Sequence, residues 1–151
     1  MGSLSLPTGG LIYIDASSLI YSVERVEPYR TLLEPVWQAA QDENITPVSS
    51  PILVIEALVK PLRDGNAAIE TQYRQLFAAG AIRLLEASYQ VFEDAARVRA
   101  ASGLRTPDAI HAATALRANC ALFVTNDNDF RRVPDLPLAV LDDFLGEDSA
   151  G

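Results

Sequence analysis

The 151-residue sequence holds one cysteine, one histidine and one methionine, and Lys60 is its single lysine. Each scarcity excludes something. With Cys120 alone there is no internal disulfide framework, and with His111 as the only histidine there is no His- or Cys-rich metal site. Both fit a reducing, cytoplasmic setting. No basic leader followed by an apolar stretch opens the sequence, and no apolar run is long enough to span a bilayer. Positive charge is also short, with 12 Lys and Arg against 20 Asp and Glu for a net −8. That balance argues against a general nucleic-acid coat protein, because phosphate neutralisation dominates such binding. It leaves room for an enzyme that touches nucleic acid at one local patch. All cations other than Lys60 are arginines, the better fork for phosphate.

What is present is globular in character: 49% hydrophobic and 21% charged residues in a chain long enough for one domain with a real core. Residues 1–10 read as a flexible leader, 11–145 as the domain and 146–151 as a flexible acidic tail. Leu11-Ile12-Tyr13-Ile14 reads as a buried strand ending in Asp15. A helix from Ala16 to about Glu24 follows, then a second from near Pro28 to Asp42 and a short strand around Asn44–Ser49. Ser50-Pro51 opens the helix ILVIEALVKPLR, which Pro61 is expected to kink or end. Asn66 caps the next helix, Gly80 closes it, and Ala81–Leu85 reads as a strand. A helix from about Ser88 to Ser102 ends at Gly103. Thr106, as N-cap, then opens the segment TPDAIHAATAL, with Pro107 at the first helical position. Ala121–Thr125 and Leu138–Leu141 are the last strands, separated by the polar turn Asn126–Asp129. Strands that are continuous apolar runs, alternating with helices, predict an α/β fold with a parallel sheet covered on both faces. Sites in such folds form outside the carboxyl ends of the strands.

The acids have distinctive places. Asp15 ends the first strand, where it can cap the following helix or face the crevice, with Ser17 in reach of its carboxylate. Glu56 interrupts a helix apolar all round, so it reads as a buried carboxylate that an Arg, a metal ion or a water-filled crevice must compensate. Asp108 sits in the first turn of an Ala-rich helix, where it also complements the helix dipole. Asp127 and Asp129 follow a strand, in an Asx-type turn or in the site. Asp142 and Asp143 read as a solvated strand end. Clustered carboxylates repel, so a cation must join them or some must stay protonated. Oxygen donors without Cys or His select a hard ion such as Mg²⁺ or Mn²⁺. His111 reads as packed or hydrogen-bonded, or as a general base. Cys120 reads as a small buried hydrophobe, and Arg131 and Arg132 either meet phosphates or form a solvated basic pair.

Taken together, IYIDASSLIY, SSPILVIEAL, TPDAIHAATAL and LFVTNDNDF, in that order, resemble the PIN-domain family and its VapC-like toxin ribonucleases of toxin–antitoxin pairs. The resemblance covers Leu11 to about Phe144. It implies a three-layer α/β/α sandwich with a central parallel sheet and Mg²⁺- or Mn²⁺-dependent endoribonuclease activity. It further implies an RNA substrate, a small VapB-like antitoxin and a homodimer. Carried over by residue, it makes Asp15, Glu56, Asp108 and Asp127 the catalytic and metal-binding acids, and within TNDNDF either Asp127 or Asp129, or both, can serve as the last metal ligand. Ser17 and Thr125 support them, and Arg131 and Arg132 are candidates for RNA contact.

Three other readings compete with this one. A phospho-acceptor receiver domain needs paired acids after the first strand and a late lysine, and Asp15 and Lys60 supply neither. A Ser-His-Asp hydrolase would need His111 as base, but the chain has no G-x-S-x-G elbow. A PIN-like protein- or RNA-binding module without chemistry remains the alternative to the enzyme.

Overall fold

Leu11–Ile14 (β1) is apolar at every position, and the computed structural model, which describes residues 2–146, puts it at the centre of the sheet. The chain continues through α1 (Ala16–Val23), α2 (Tyr29–Gln41), β2 (Thr46–Ser49), α3 (Ile52–Asp64), α4 (Ala67–Ala78) and β3 (Arg83–Leu84). It ends with α5 (Tyr89–Ser102), α6 (Thr106–Arg117), β4 (Leu122–Thr125) and β5 (Leu138–Val140). The five strands pair in parallel in the order β3-β2-β1-β4-β5. Tyr13 is in register with Val48 on one side and Phe123 on the other.

Strand alternation splits the core in two, because successive side chains point to opposite faces. Ile12, Ile14 and Val124 pack with Leu19 of α1, Leu33 and Val36 of α2, Leu53 and Ala57 of α3 and Tyr73 of α4. Tyr13, Val48 and Phe123 pack instead with Ala95 of α5 and with Ala109, Ala112 and Ala113 of α6. The result is the expected α/β/α sandwich. The alanines of α6 let that helix lie close to the sheet, and every residue from Asp108 to Ala115 is buried.

The order of the strands determines where a site can form. From β1 the chain steps outwards through β2 to β3, then crosses by α5 and α6 to β4 on the other side of β1. The crevice between the carboxyl ends of β1 and β4 is therefore the topological switch point, where open α/β sheets bind ligands.

Local departures from the sequence reading have simple causes. Thr106 is the first helical residue rather than the cap; Arg105, in extended backbone, takes the cap position and its carbonyl accepts the first helical bond from Ala109. Pro61 neither ends α3 nor opens it to solvent, since it is buried and the helix runs on to Gly65, whose left-handed φ of 67° terminates it. The strand expected at Ala81–Leu85 pairs only at Arg83–Leu84, on the sheet edge. Residues 2–10 contain no helix or strand, yet Leu4 is buried in the first core and the Gly2 N–H bonds the Phe144 carbonyl at 2.9 Å. Of the expected tail, residues 147–151 lie outside the described residues.

Candidate active site

Asp15 leaves the end of β1 in extended backbone and caps α1, accepting the Ser18 N–H at 3.0 Å. Its Oδ1 also accepts the Ser17 hydroxyl at 2.9 Å, and its Oδ2 accepts the Thr125 hydroxyl in a short bond. The capping reading and the crevice reading of Asp15 are thus one arrangement. Both hydroxyls also bond the turn after β4. Thr125 Oγ1 accepts the Asp127 N–H at 3.0 Å, and Ser17 Oγ accepts the Asn126 N–H at 3.1 Å. Asp15 is fully enclosed, and burial pushes its carboxyl above the ordinary range against the pull of Thr125, Ser18, His111 and Ser17.

Asp108 enters from α6, whose close packing carries its first turn over the sheet. Its Oδ2 is buried and has no hydrogen-bond partner among the described residues. Arg105, itself exposed, is near it, with Nε 3.7 Å from that oxygen. Burial raises the Asp108 carboxyl most, the Asp127 charge raises it further, Arg105 and His111 oppose the shift, and Glu56 adds to it. Asp127 and Glu56 are thus near enough to Asp108 for their charges to raise its carboxyl.

Asp127 caps the 3-10 turn Asn128–Arg132, accepting the Asp129 N–H at 2.8 Å, so the Asx-type turn expected of this segment is present. Asp129 is turned outward, 3.2 Å from Arg132 Nη2. Arg131 grips the Asp143 carboxylate through Nη2 at 2.6 and 2.8 Å. Both arginines are thus already paired with acids at the surface. Asp142 accepts the Tyr29 hydroxyl at 2.6 Å.

Glu56 differs most from its sequence reading. The helix around it is not buried all round: Ile55 is 62% exposed, Val59 48% and Leu62 52%. Leu53, Ala57, Leu58 and Pro61 are buried, with Ile52 and Val54 partly buried against the core, and among the described residues no element covers the opposite side of α3. Glu56 lies at the border of the buried stripe with its side chain 24% exposed, and its partner is not an arginine. His111 Nε2 lies 2.5 Å from Glu56 Oε1, and His111 Nδ1 lies 2.6 Å from the Tyr13 hydroxyl. The hydrogen-bonded reading of His111 describes it, though the sequence named neither partner. The i+3 step from Asp108 to His111 was the only local signal; Tyr13, 98 residues away, gave none.

Cys120 is a free, buried thiol, raised by burial to about 11. It behaves as the small hydrophobe expected.

The donor chemistry of the crevice suits a hard cation: carboxylates from α6, β1 and the β4 turn, two of them raised by burial, and one orphaned oxygen. Among the described residues no three His, Cys, Asp or Glu side chains form a group able to hold an ion by themselves. Mg²⁺ rarely needs such a cage, since it keeps several waters and takes one or two carboxylates. Asp108, whose Oδ2 has no hydrogen-bond partner among the described residues, is the donor that could serve such a looser mode of binding.

A family model for the PIN domain matches residues 12–136. No curated protein matches by sequence. Among solved structures the chain is similar to VapBC2 from Rickettsia felis, described as bound to a DNA fragment from its promoter. The TM-score is 0.63 at 18% identity, covering 87% of this chain and 98% of that one. A toxin–antitoxin complex from Klebsiella pneumoniae gives 0.63 at 21% identity, covering 86% and 96%. VapBC-1 from nontypeable Haemophilus influenzae gives 0.60 at 17%, covering 89% and 98%. At such identities these likenesses speak for the fold. The family match spans most of the sequence, from β1 to beyond the acidic turn after β4, and the chain belongs to the PIN domain family.

Proposed function

We propose that the protein is a Mg²⁺- or Mn²⁺-dependent endoribonuclease, the toxin of a VapBC-type pair, with Asp15, Glu56, Asp108 and Asp127 as its working acids. The observation that carries this reading is the buried Asp108 carboxylate, which feels the charges of Asp127 and Glu56 and has one oxygen without a hydrogen-bond partner among the described residues. A carboxylate held there without compensation costs several kcal/mol or goes neutral. A divalent ion removes that cost.

Such an ion, when bound, supplies a more acidic water and screens the charge of the scissile phosphate. The chain's own residues hold the acids still. Ser17, the Ser18 N–H and Thr125 fix both oxygens of Asp15. The Asp129 N–H orients Asp127, and Asp129 is a further ligand if its exposed carboxylate turns inward. Arg131 and Arg132 exchange their surface acids for RNA phosphates, which is cheap because exposed ion pairs contribute only about 0–1 kcal/mol.

The partners belong to the same proposal. An acidic crevice on a protein of net charge −8 attracts a basic antitoxin segment. The exposed stripe of Ile55, Val59 and Leu62 supports a homodimer, since one turn of an apolar helix face repeats at this spacing. No helix among the described residues is long and apolar enough to cross a membrane.

Incubation with labelled RNA hairpins tests the activity. Cleavage is expected with Mg²⁺ or Mn²⁺, is stopped by chelator, and is absent from Asp15→Asn and Asp108→Asn. Cleavage that survives chelation and both substitutions refutes the proposal.

A further inference from the structure

His111 is the single imidazole of the chain, and it is buried at the junction of three elements that are distant in sequence. Each of its ring nitrogens has a partner: Tyr13 of β1 at Nδ1 and Glu56 of α3 at Nε2. No nitrogen is left for substrate, so the ring is not placed to act as a general base. We infer that His111 is a positioning residue, which holds the Glu56 carboxylate towards the crevice and is itself held by Tyr13. This rests on the reading of Glu56 as a metal-site acid.

The Tyr13 end is immobile. Its ring is fully buried, stacked on Phe123 with centroids 4.8 Å apart and planes 2° from parallel. It meets the His111 ring edge-on at 5.6 Å. A buried phenol needs a hydrogen-bond partner, and a phenol carries its proton at neutral pH. With His111 Nδ1 2.6 Å away, we take that nitrogen as the acceptor of its proton. In a neutral imidazole the remaining N–H is then on Nε2, aimed at Glu56 Oε1. Tyr13 therefore selects the tautomer that Glu56 requires.

The Glu56 end is the one that needs holding. A glutamate has three side-chain torsions to order, and this one sits at the edge of the buried stripe of α3, partly in water. Among the described residues His111 is the only hydrogen-bond partner of its carboxylate, and it takes Oε1 alone. Oε2 is left for the crevice. Partners of this kind, one step behind the atoms that meet a metal, are typically worth about 10–100-fold in affinity.

The test uses the full chain with Mn²⁺ alone as probe, its free concentration followed by electron paramagnetic resonance. His111→Leu is expected to bind Mn²⁺ about 10–100-fold more weakly, while His111→Gln, whose amide keeps a donor, recovers most of the affinity. Tyr13→Phe is expected to fall between them. The double variant His111→Leu with Glu56→Gln should bind no worse than Glu56→Gln alone, because both changes remove one function. Additive losses overturn the inference. So does unchanged Mn²⁺ affinity in His111→Leu while Glu56→Gln is weakened. If Glu56→Gln itself binds Mn²⁺ normally, the metal-site reading falls first, and the inference falls with it. Imidazole ¹⁵N shifts of the wild type give a second measurement that needs no variant to fold. One histidine gives one pair of signals, and a proton on Nδ1 rather than Nε2 in the neutral ring overturns the inference.

Discussion

Thr125 donates its hydroxyl to Asp15 and accepts the N–H of Asp127, so a single side chain at the end of β4 ties together acids on both sides of the switch point. Thr125→Val keeps the shape and removes both bonds. A buried acceptor left unmatched costs about 1–3 kcal/mol, more for a charged one. The expected result is a lower melting temperature with a larger loss of RNA cleavage, while Thr125→Ser stays near wild type. Equal stability and cleavage in all three proteins would show that the bridge carries neither.

Asp108 predicts a pH dependence of known sign. A carboxyl raised above its unfolded value binds protons more tightly in the folded state. Its stabilising contribution is complete below the unfolded pKa and is lost as pH rises through the folded one. Without metal, wild-type stability relative to Asp108→Asn should therefore decline as pH rises above the ordinary carboxylate range. At neutral pH Asp108→Asn should be the more stable protein by about 1 kcal/mol or more, a few degrees in melting temperature. Comparing the two proteins cancels the other titrating groups, such as Glu27, whose shift is opposite in sign. A difference that does not change with pH refutes the argument from burial.

Divalent metal should reverse that ranking. An ion that binds only the folded state stabilises by about 2.7 kcal/mol at one hundred times its dissociation constant. Mn²⁺ is expected to raise the melting temperature of wild type and much less that of Asp108→Asn or Asp15→Asn. Equal shifts in all three would place the ion elsewhere on the acidic surface.

The exposed face of α3 makes a separate prediction. Ile55 and Val59 are about half in water already, so changing both to Ser should alter monomer stability by no more than about 1 kcal/mol. If a second copy covers them, the double variant should be monomeric in light scattering where the wild type is dimeric. A wild type that is monomeric at high concentration removes the homodimer.

These sites differ in how much of them the sequence carries. Asp15 and Asp127 were legible because a strand end is a local property: an apolar run stops and an acid follows. Asp108 was legible from the helix start, although its cap shifted by one residue because Arg105 adopts extended backbone there. The reading of Glu56 as a buried carboxylate holds only in part. Its apolar surroundings imply burial on all sides, but the sequence does not say which side of α3 goes uncovered. The partnership of Tyr13, His111 and Glu56 was not legible at all, since it depends on α6 packing across β1 and beside α3. Arg131 and Arg132 were visible as a pair, while their acids, Asp143 and Asp129, were fixed by the turn geometry.

That turn supplies the last prediction. If Arg131 leaves Asp143 for an RNA phosphate, it must contribute to the salt dependence of RNA binding. Each phosphate neutralised on a single strand adds about 0.7 to the slope of log affinity against log salt. Measured with Mg²⁺ in the Glu56→Gln background, to hold RNA without cutting it, Arg131→Ala should reduce the slope by about that amount and weaken binding at low salt most. Its stability should change little, because the Arg131–Asp143 pair is half exposed and such pairs contribute about 0–1 kcal/mol. Asp143→Ala should do the opposite, freeing the arginine and tightening binding with the slope unchanged or larger. An unaltered slope in Arg131→Ala, with binding unaffected by Asp143→Ala, assigns this arginine to the surface pair alone and moves the search for a phosphate contact to the exposed Arg105 beside Asp108.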